Sequence, residues 1–128
     1  KIAMIGTGYV GLVSGVCFSD FGHQVVCVDK DPRKVEMLKN GDVPIYEPGL
    51  DALMAKNVAA GRLSFTGDLA QAVEGADAVF IAVGTPEVAG KPEGGLQKLI
   101  EDFASAVVRG DELREVNGLV HGVGLGLL

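Results

Sequence analysis

The segment Gly6-Thr7-Gly8-Tyr9-Val10-Gly11 has residue types and a spacing suited to binding chemistry. Gly6 permits a tight turn, Gly8 lets the backbone approach an anionic group, and Gly11 lets a following helix pack closely on a sheet. The amides near Tyr9 and Val10 would then face that group. The helix dipole adds positive potential, and the combination suits a pyrophosphate. A carboxylate, Asp29, stands 18 residues beyond Gly11 at the end of an apolar run. It can accept hydrogen bonds from adenosine ribose hydroxyls, and it repels the extra phosphate of NADP, so the pattern favours NAD. Lys30, Arg33 and Lys34 lie close by and soften that preference. Gly84-Thr85-Pro86 is a second candidate: Gly84 allows close approach, and the Thr85 hydroxyl could contact the dinucleotide. The same three residues also suit a plain turn. The bland alternative for the first segment is glycines that only shape a strand–helix turn, with Asp29 a solvated strand end.

These residues need elements to position them. Lys1–Ile5 reads as a short buried strand running into Gly6. Helical spacing follows from Val10 to Phe21, with Val10, Val13, Cys17 and Phe21 on one face. Gln24–Asp29 is a second, valine-rich strand. Asp31 and Pro32 are N-cap and first residue of a helix that turns Val35 and Leu38 inward and stops at Asn40–Gly41. Pro48–Ala60 is a further helix with the stripe Leu50, Leu53, Met54 and Val58. Leu63–Thr66 is a third strand, Asp68 caps a brief helix through Glu74, and Ala78–Val83 is a fourth strand. Its unbroken apolar run predicts cover on both sheet faces. Leu96–Arg109 follows a Pro/Gly-rich loop and is amphipathic. Leu119–Leu128 suits either a fifth strand or a loose apolar tail. Strands alternating with helices predict an α/β fold: a Rossmann-like three-layer αβα domain with a parallel sheet of four or five strands, order 3-2-1-4(-5). No linker divides residues 1–128, so one domain is expected.

Composition narrows the function classes. The net charge of −6 gives nothing to gain from phosphate counterion release, so nucleic acid is not an expected partner. No apolar run reaches the length of a membrane span. Cys17 and Cys27, the only cysteines, suit buried free thiols in a reducing cytoplasm better than a disulfide. His23 and His121 have no ligand-spaced neighbours, so no metal site is expected. Glu36, Glu47 and Asp51 read as surface carboxylates, and no catalytic residue is assigned.

The segments KIAMIGTGYVGLVSG, VVCVDKDPRKVEMLKNGDVPIYEPGL, RLSFTGDL and AVFIAVGTP, spanning residues 1–86, resemble the amino-terminal domain of the UDP-glucose/GDP-mannose dehydrogenase family. The resemblance implies that the glycine loop binds the NAD pyrophosphate. It also implies that Asp29 binds the adenosine ribose with help from Lys34, and that Thr85 lies along the cofactor. Full enzymes of that family oxidise the C6 hydroxyl of a nucleotide sugar in two NAD-dependent steps through a cysteine. Neither Cys17 nor Cys27 matches that cysteine. Residues 87–128 show no family motif, and the chain starts on a strand without Met. The expectation is therefore an NAD-binding module without its catalytic half, trimmed or joined to a foreign segment, with self-association through newly exposed apolar surface. The alternative is an engineered chimeric scaffold that binds nothing.

Overall fold

Four short strands form one parallel sheet, ordered β3-β2-β1-β4, in a computed structural model that describes residues 1–83. In chain order the elements are β1 (Ile2–Ile5), α1 (Tyr9–Asp20), β2 (Val25–Val28), α2 (Pro32–Lys39), α3 (Leu50–Ala59), β3 (Leu63–Thr66), α4 (Leu69–Val73) and β4 (Ala78–Ile81). β1 is central: Met4 lies opposite Cys27 of β2 on one side and opposite Phe80 of β4 on the other. The expected order of the first four strands is observed. The candidate fifth strand, the amphipathic Leu96–Arg109 segment, Gly84 and Thr85 lie outside the described residues.

Side chains alternate across the strands and build a core on each face. Met4, Val25, Cys27, Leu63 and Phe65 meet Leu12, Val16, Leu38, Leu50 and Met54 from α1, α2 and α3. Ala3 and Val28 meet Ala72 of α4 on the opposite face. The result is the three-layer arrangement.

Local capping fixes the helix starts. Asp31 accepts from the Arg33 amide at 2.9 Å, and Pro32 follows it in the first turn of α2. Asp68 accepts from the Gln71 amide at 3.2 Å at the start of α4. At the other end of α4, the Lys1 ammonium donates to the carbonyls of Gln71 and Glu74, where a cation suits the helix dipole.

Two expectations are corrected. The stripe Val10, Val13, Cys17 and Phe21 is not the core face of α1; Val10 is exposed and Phe21 is 75% exposed. The buried face is Gly11, Leu12, Gly15, Val16 and Ser19. Because α1 is apolar nearly all round, periodicity cannot choose a face, and close approach to the sheet chooses the one with small residues. On α3 the inward position expected for Val58 belongs to Asn57, while Val58 is exposed. The cover expected on both faces of β4 draws on segments outside the described residues. Phe80 stacks beside Phe18 with ring centroids 5.1 Å apart, yet remains 43% exposed.

Cys27 is fully buried in the sheet and Cys17 only partly, and both are free thiols. Burial pushes the Cys27 thiol up to about 12, so its thiolate is almost absent near neutral pH. Iodoacetamide at pH 8 is expected to leave Cys27 unmodified in the folded chain and to modify it in urea. Mass spectrometry of the peptides checks this, and rapid native labelling of Cys27 would contradict the packing.

Candidate functional site

The chain leaves β1 at Ile5 and turns at Gly6, whose φ of +103° suits a residue without Cβ. Space excludes a side chain there too, since a Cβ would stand 2.5 Å from the Ala82 carbonyl oxygen. The Gly6 amide donates to the Val28 carbonyl, and the Ala82 amide donates to that of Ile5. The turn is thus held between the carboxyl ends of β2 and β4, where the strand order reverses and open α/β sheets bind ligands.

Gly8 comes next, extended and at the N-cap of α1, where it provides no side-chain cap. A Cβ on Gly8 would meet nothing within 4 Å, so the space in front of the helix is open. No acidic residue lies in the first turn. Helix α1 therefore presents its positive end without a side chain to neutralise it, unlike α2 and α4 with their aspartate caps. Gly11 faces inward: a Cβ there would stand 2.0 Å from the Gly6 carbonyl oxygen. Gly6 and Gly11 shape the loop, and Gly8 leaves it open.

Asp29 follows β2 and reaches back to the loop. Its Oδ2 accepts from the Thr7 amide at 3.1 Å and the Thr7 hydroxyl at 2.5 Å. Its Oδ1 accepts from the Asp31 amide at 2.9 Å. Lys34 Nζ stands 4.0 Å from Oδ2. Burial opposes ionisation of Asp29. Hydrogen bonds from the Thr7 hydroxyl and from the Asp31 and Thr7 amides, with the Lys34 charge, outweigh it and hold the carboxyl below its ordinary value. A carboxyl lowered in the folded state adds stability above its ordinary range, and that stability is lost as pH falls through the folded value.

Tyr9 and Val10 project outward at the start of α1. The Tyr9 hydroxyl donates to Glu47, which lies just before α3. Glu47 raises the Tyr9 phenol above its ordinary value, first by accepting this bond and then by its negative charge.

Gly6, Gly8, Tyr9, Val10, Gly11, Asp29 and Lys34 thus come together at one end of the sheet. Two participants are absent from the sequence-based set. Thr7 sits at a position the glycine pattern leaves unspecified, and only its fold context reveals its bonds to Asp29. Glu47 reads as a surface carboxylate, and nothing local ties it to Tyr9. No cluster of three or more His, Cys, Asp or Glu suited to a metal occurs among the described residues, and none of their helices is long and apolar enough to cross a membrane.

An open helix N-terminus can hold a diphosphate, and a fixed carboxylate beside it can hold a ribose hydroxyl. On a parallel sheet of this order, those features define a Rossmann dinucleotide-binding domain. The chain belongs to the UDP-glucose/GDP-mannose dehydrogenase family, whose NAD binding domain matches residues 1–109. NAD is accordingly the dinucleotide of this domain. The likeness, expected over residues 1–86, runs on to residue 109.

UDP-glucose 6-dehydrogenase of Rhizobium meliloti (strain 1021) is 71% identical over 86 residues, which is 67% of this chain and 20% of that protein. GDP-mannose 6-dehydrogenase of Pseudomonas syringae pv. tomato is 41% identical over 119 residues, which is 91% of this chain and 26% of that protein. The crystal structure of a ternary complex of GDP-mannose dehydrogenase from Pseudomonas aeruginosa matches with a TM-score of 0.77 at 38% identity, covering 88% of this chain and 26% of that one. The chain spans about a fifth of the length of curated UDP-glucose 6-dehydrogenases that it matches.

Proposed function

We propose that this chain is the NAD-binding module of a nucleotide-sugar 6-dehydrogenase, with no catalytic residue of its own among residues 1–83. The observation that carries the reading is the uncapped start of α1 beside an ionised Asp29. In this reading the Tyr9 and Val10 amides face the pyrophosphate across Gly8, Gly6 and Gly11 set the loop, and Asp29 with Lys34 takes the adenosine ribose. Gly84 and Thr85 line the cofactor further along. NAD, when bound, supplies the hydride acceptor. The nucleotide sugar whose C6 hydroxyl is oxidised is the proposed substrate of the whole enzyme. The two free thiols favour a reducing, cytoplasmic setting.

Calorimetric titration of the chain with NADH and with NADPH, beside Asp29→Ala, tests this. NADH is expected to bind saturably, NADPH about tenfold or more weakly, and the variant to lose about tenfold in NADH affinity, the scale of one charged hydrogen bond. A folded chain that gives no heat with either cofactor would refute the reading.

A further inference from the structure

We propose that Thr7 is a positioning residue that sets dinucleotide specificity by holding the Asp29 carboxylate in one orientation. The proposal rests on the NAD-binding reading above and deepens it.

Thr7 is only 1% exposed, and its two donors converge on a single atom. Its amide and hydroxyl both donate to Asp29 Oδ2, at 3.1 Å and 2.5 Å. A carboxylate oxygen offers about two acceptor sites, so Oδ2 is filled from the protein side. Oδ1 accepts one bond, from the Asp31 amide, and keeps one site. Asp29 therefore presents a single acceptor, enough for one ribose hydroxyl, and its charge is pinned in place.

Specificity follows from the pinning. A 2′-phosphate needs the carboxylate to turn away and cations to take its place. Lys34 stands 4.0 Å from the carboxylate, and Arg33, the residue before it on α2, is exposed and only loosely paired with Asp31 at 3.6 Å, so cations are at hand. The carboxylate cannot turn while the Thr7 hydroxyl holds it. Removing that hydroxyl leaves Asp29 held only by the Thr7 and Asp31 amides, so the carboxylate turns more easily, which weakens the bond to the ribose hydroxyl and lowers the barrier to the phosphate.

Three variants of the full chain test this: Thr7→Val, which keeps the size and the amide; Thr7→Ala, which removes the hydroxyl without adding bulk; and Thr7→Ser, which keeps the hydroxyl. Thermal melting establishes that each is folded. The affinity ratio of NADH over NADPH is expected to fall about tenfold in Thr7→Val and Thr7→Ala, the loss of one hydrogen bond to a charged group, and to stay near wild type in Thr7→Ser. Carbon NMR of the Asp29 carboxyl in the unliganded chain gives a second readout. Its titration midpoint should rise in the two variants without the hydroxyl and hold in Thr7→Ser. An unchanged ratio with both cofactors weakened alike would show a merely structural Thr7 and overturn the inference alone. An unmoved Asp29 midpoint would overturn it too. A wild-type chain that binds neither cofactor would end the NAD-binding reading, and this role with it.

Discussion

Gly11→Ala is expected to remove a large part of the stability of this domain. The added Cβ would stand 2.0 Å from the Gly6 carbonyl oxygen and 2.9 Å from its carbon. Both are backbone atoms of a turn fixed by its bonds to β2 and β4, so neither can swing aside as a side-chain tip would. Helix α1 would have to lift from the sheet, carrying Leu12 and Val16, both fully buried. Overpacking of this kind costs about 3 kcal/mol or more, against a total stability on the order of 5–15 kcal/mol for a small domain. The thermal midpoint should fall by on the order of ten degrees. Gly8→Ala is the control. Its Cβ meets nothing within 4 Å, so the midpoint should hold while NADH affinity falls, because the methyl stands before the exposed amides. A Gly11→Ala chain that melts with the wild type would contradict the packing described for α1.

Asn57→Leu should have the next largest effect. The Asn57 side chain is 0% exposed, and all its hydrogen-bonding capacity is used. Its Nδ2 donates to Asp20 Oδ1 at 3.1 Å and to the Leu53 carbonyl at 2.9 Å. Its Oδ1 accepts from Arg62 Nε at 3.2 Å and Nη2 at 2.9 Å. Arg62 also donates to the Ser19 carbonyl, so this one amide ties the end of α1 to α3 and to the approach to β3. Leucine matches the branching, though it is somewhat larger, and leaves part of the guanidinium without an acceptor and the Asp20 carboxylate with Lys56 as its remaining hydrogen-bond donor. Losing the four hydrogen bonds of this buried amide, two of them from a guanidinium, costs about 2–4 kcal/mol. Urea unfolding at constant m-value measures it. Val58→Ala, one position along and exposed, should change stability by no more than about 0.5 kcal/mol. Equal effects at the two positions would restore Val58 to the inward face.

The contrast between Asn57 and Val58 shows what was legible in the sequence. Where a signal is local, it reads correctly: Asp31 and Pro32 start α2, Asp68 starts α4, and Leu63–Thr66 is a strand at its predicted bounds. The alternation of strands and helices also yields the sheet order, because right-handed crossovers leave few alternatives. Signals that depend on partners far along the chain do not read. The inward face of α1 is chosen by how near Gly11 and Gly15 can come to the sheet, which apolar periodicity does not record. A polar residue such as Asn57 becomes a core residue only because Asp20 and Arg62 arrive to satisfy it. In the site, the glycines and Asp29 are visible as a spacing. Thr7 and Glu47 take part through bonds to residues 22 and 38 positions away.

Gly15 carries one more consequence. Its missing side chain is occupied space: a Cβ there would stand 2.7 Å from the sulfur of Cys27. The two positions share a single volume between helix and strand, so neither is free to vary alone. Over evolutionary time they should drift as a pair. A methyl gained at 15 becomes acceptable once the side chain at 27 has shrunk, and the reverse order of events passes through a misfitted intermediate. Among relatives, size at one position should trade against size at the other, and a sequence bulky at both would need α1 to ride higher on its sheet.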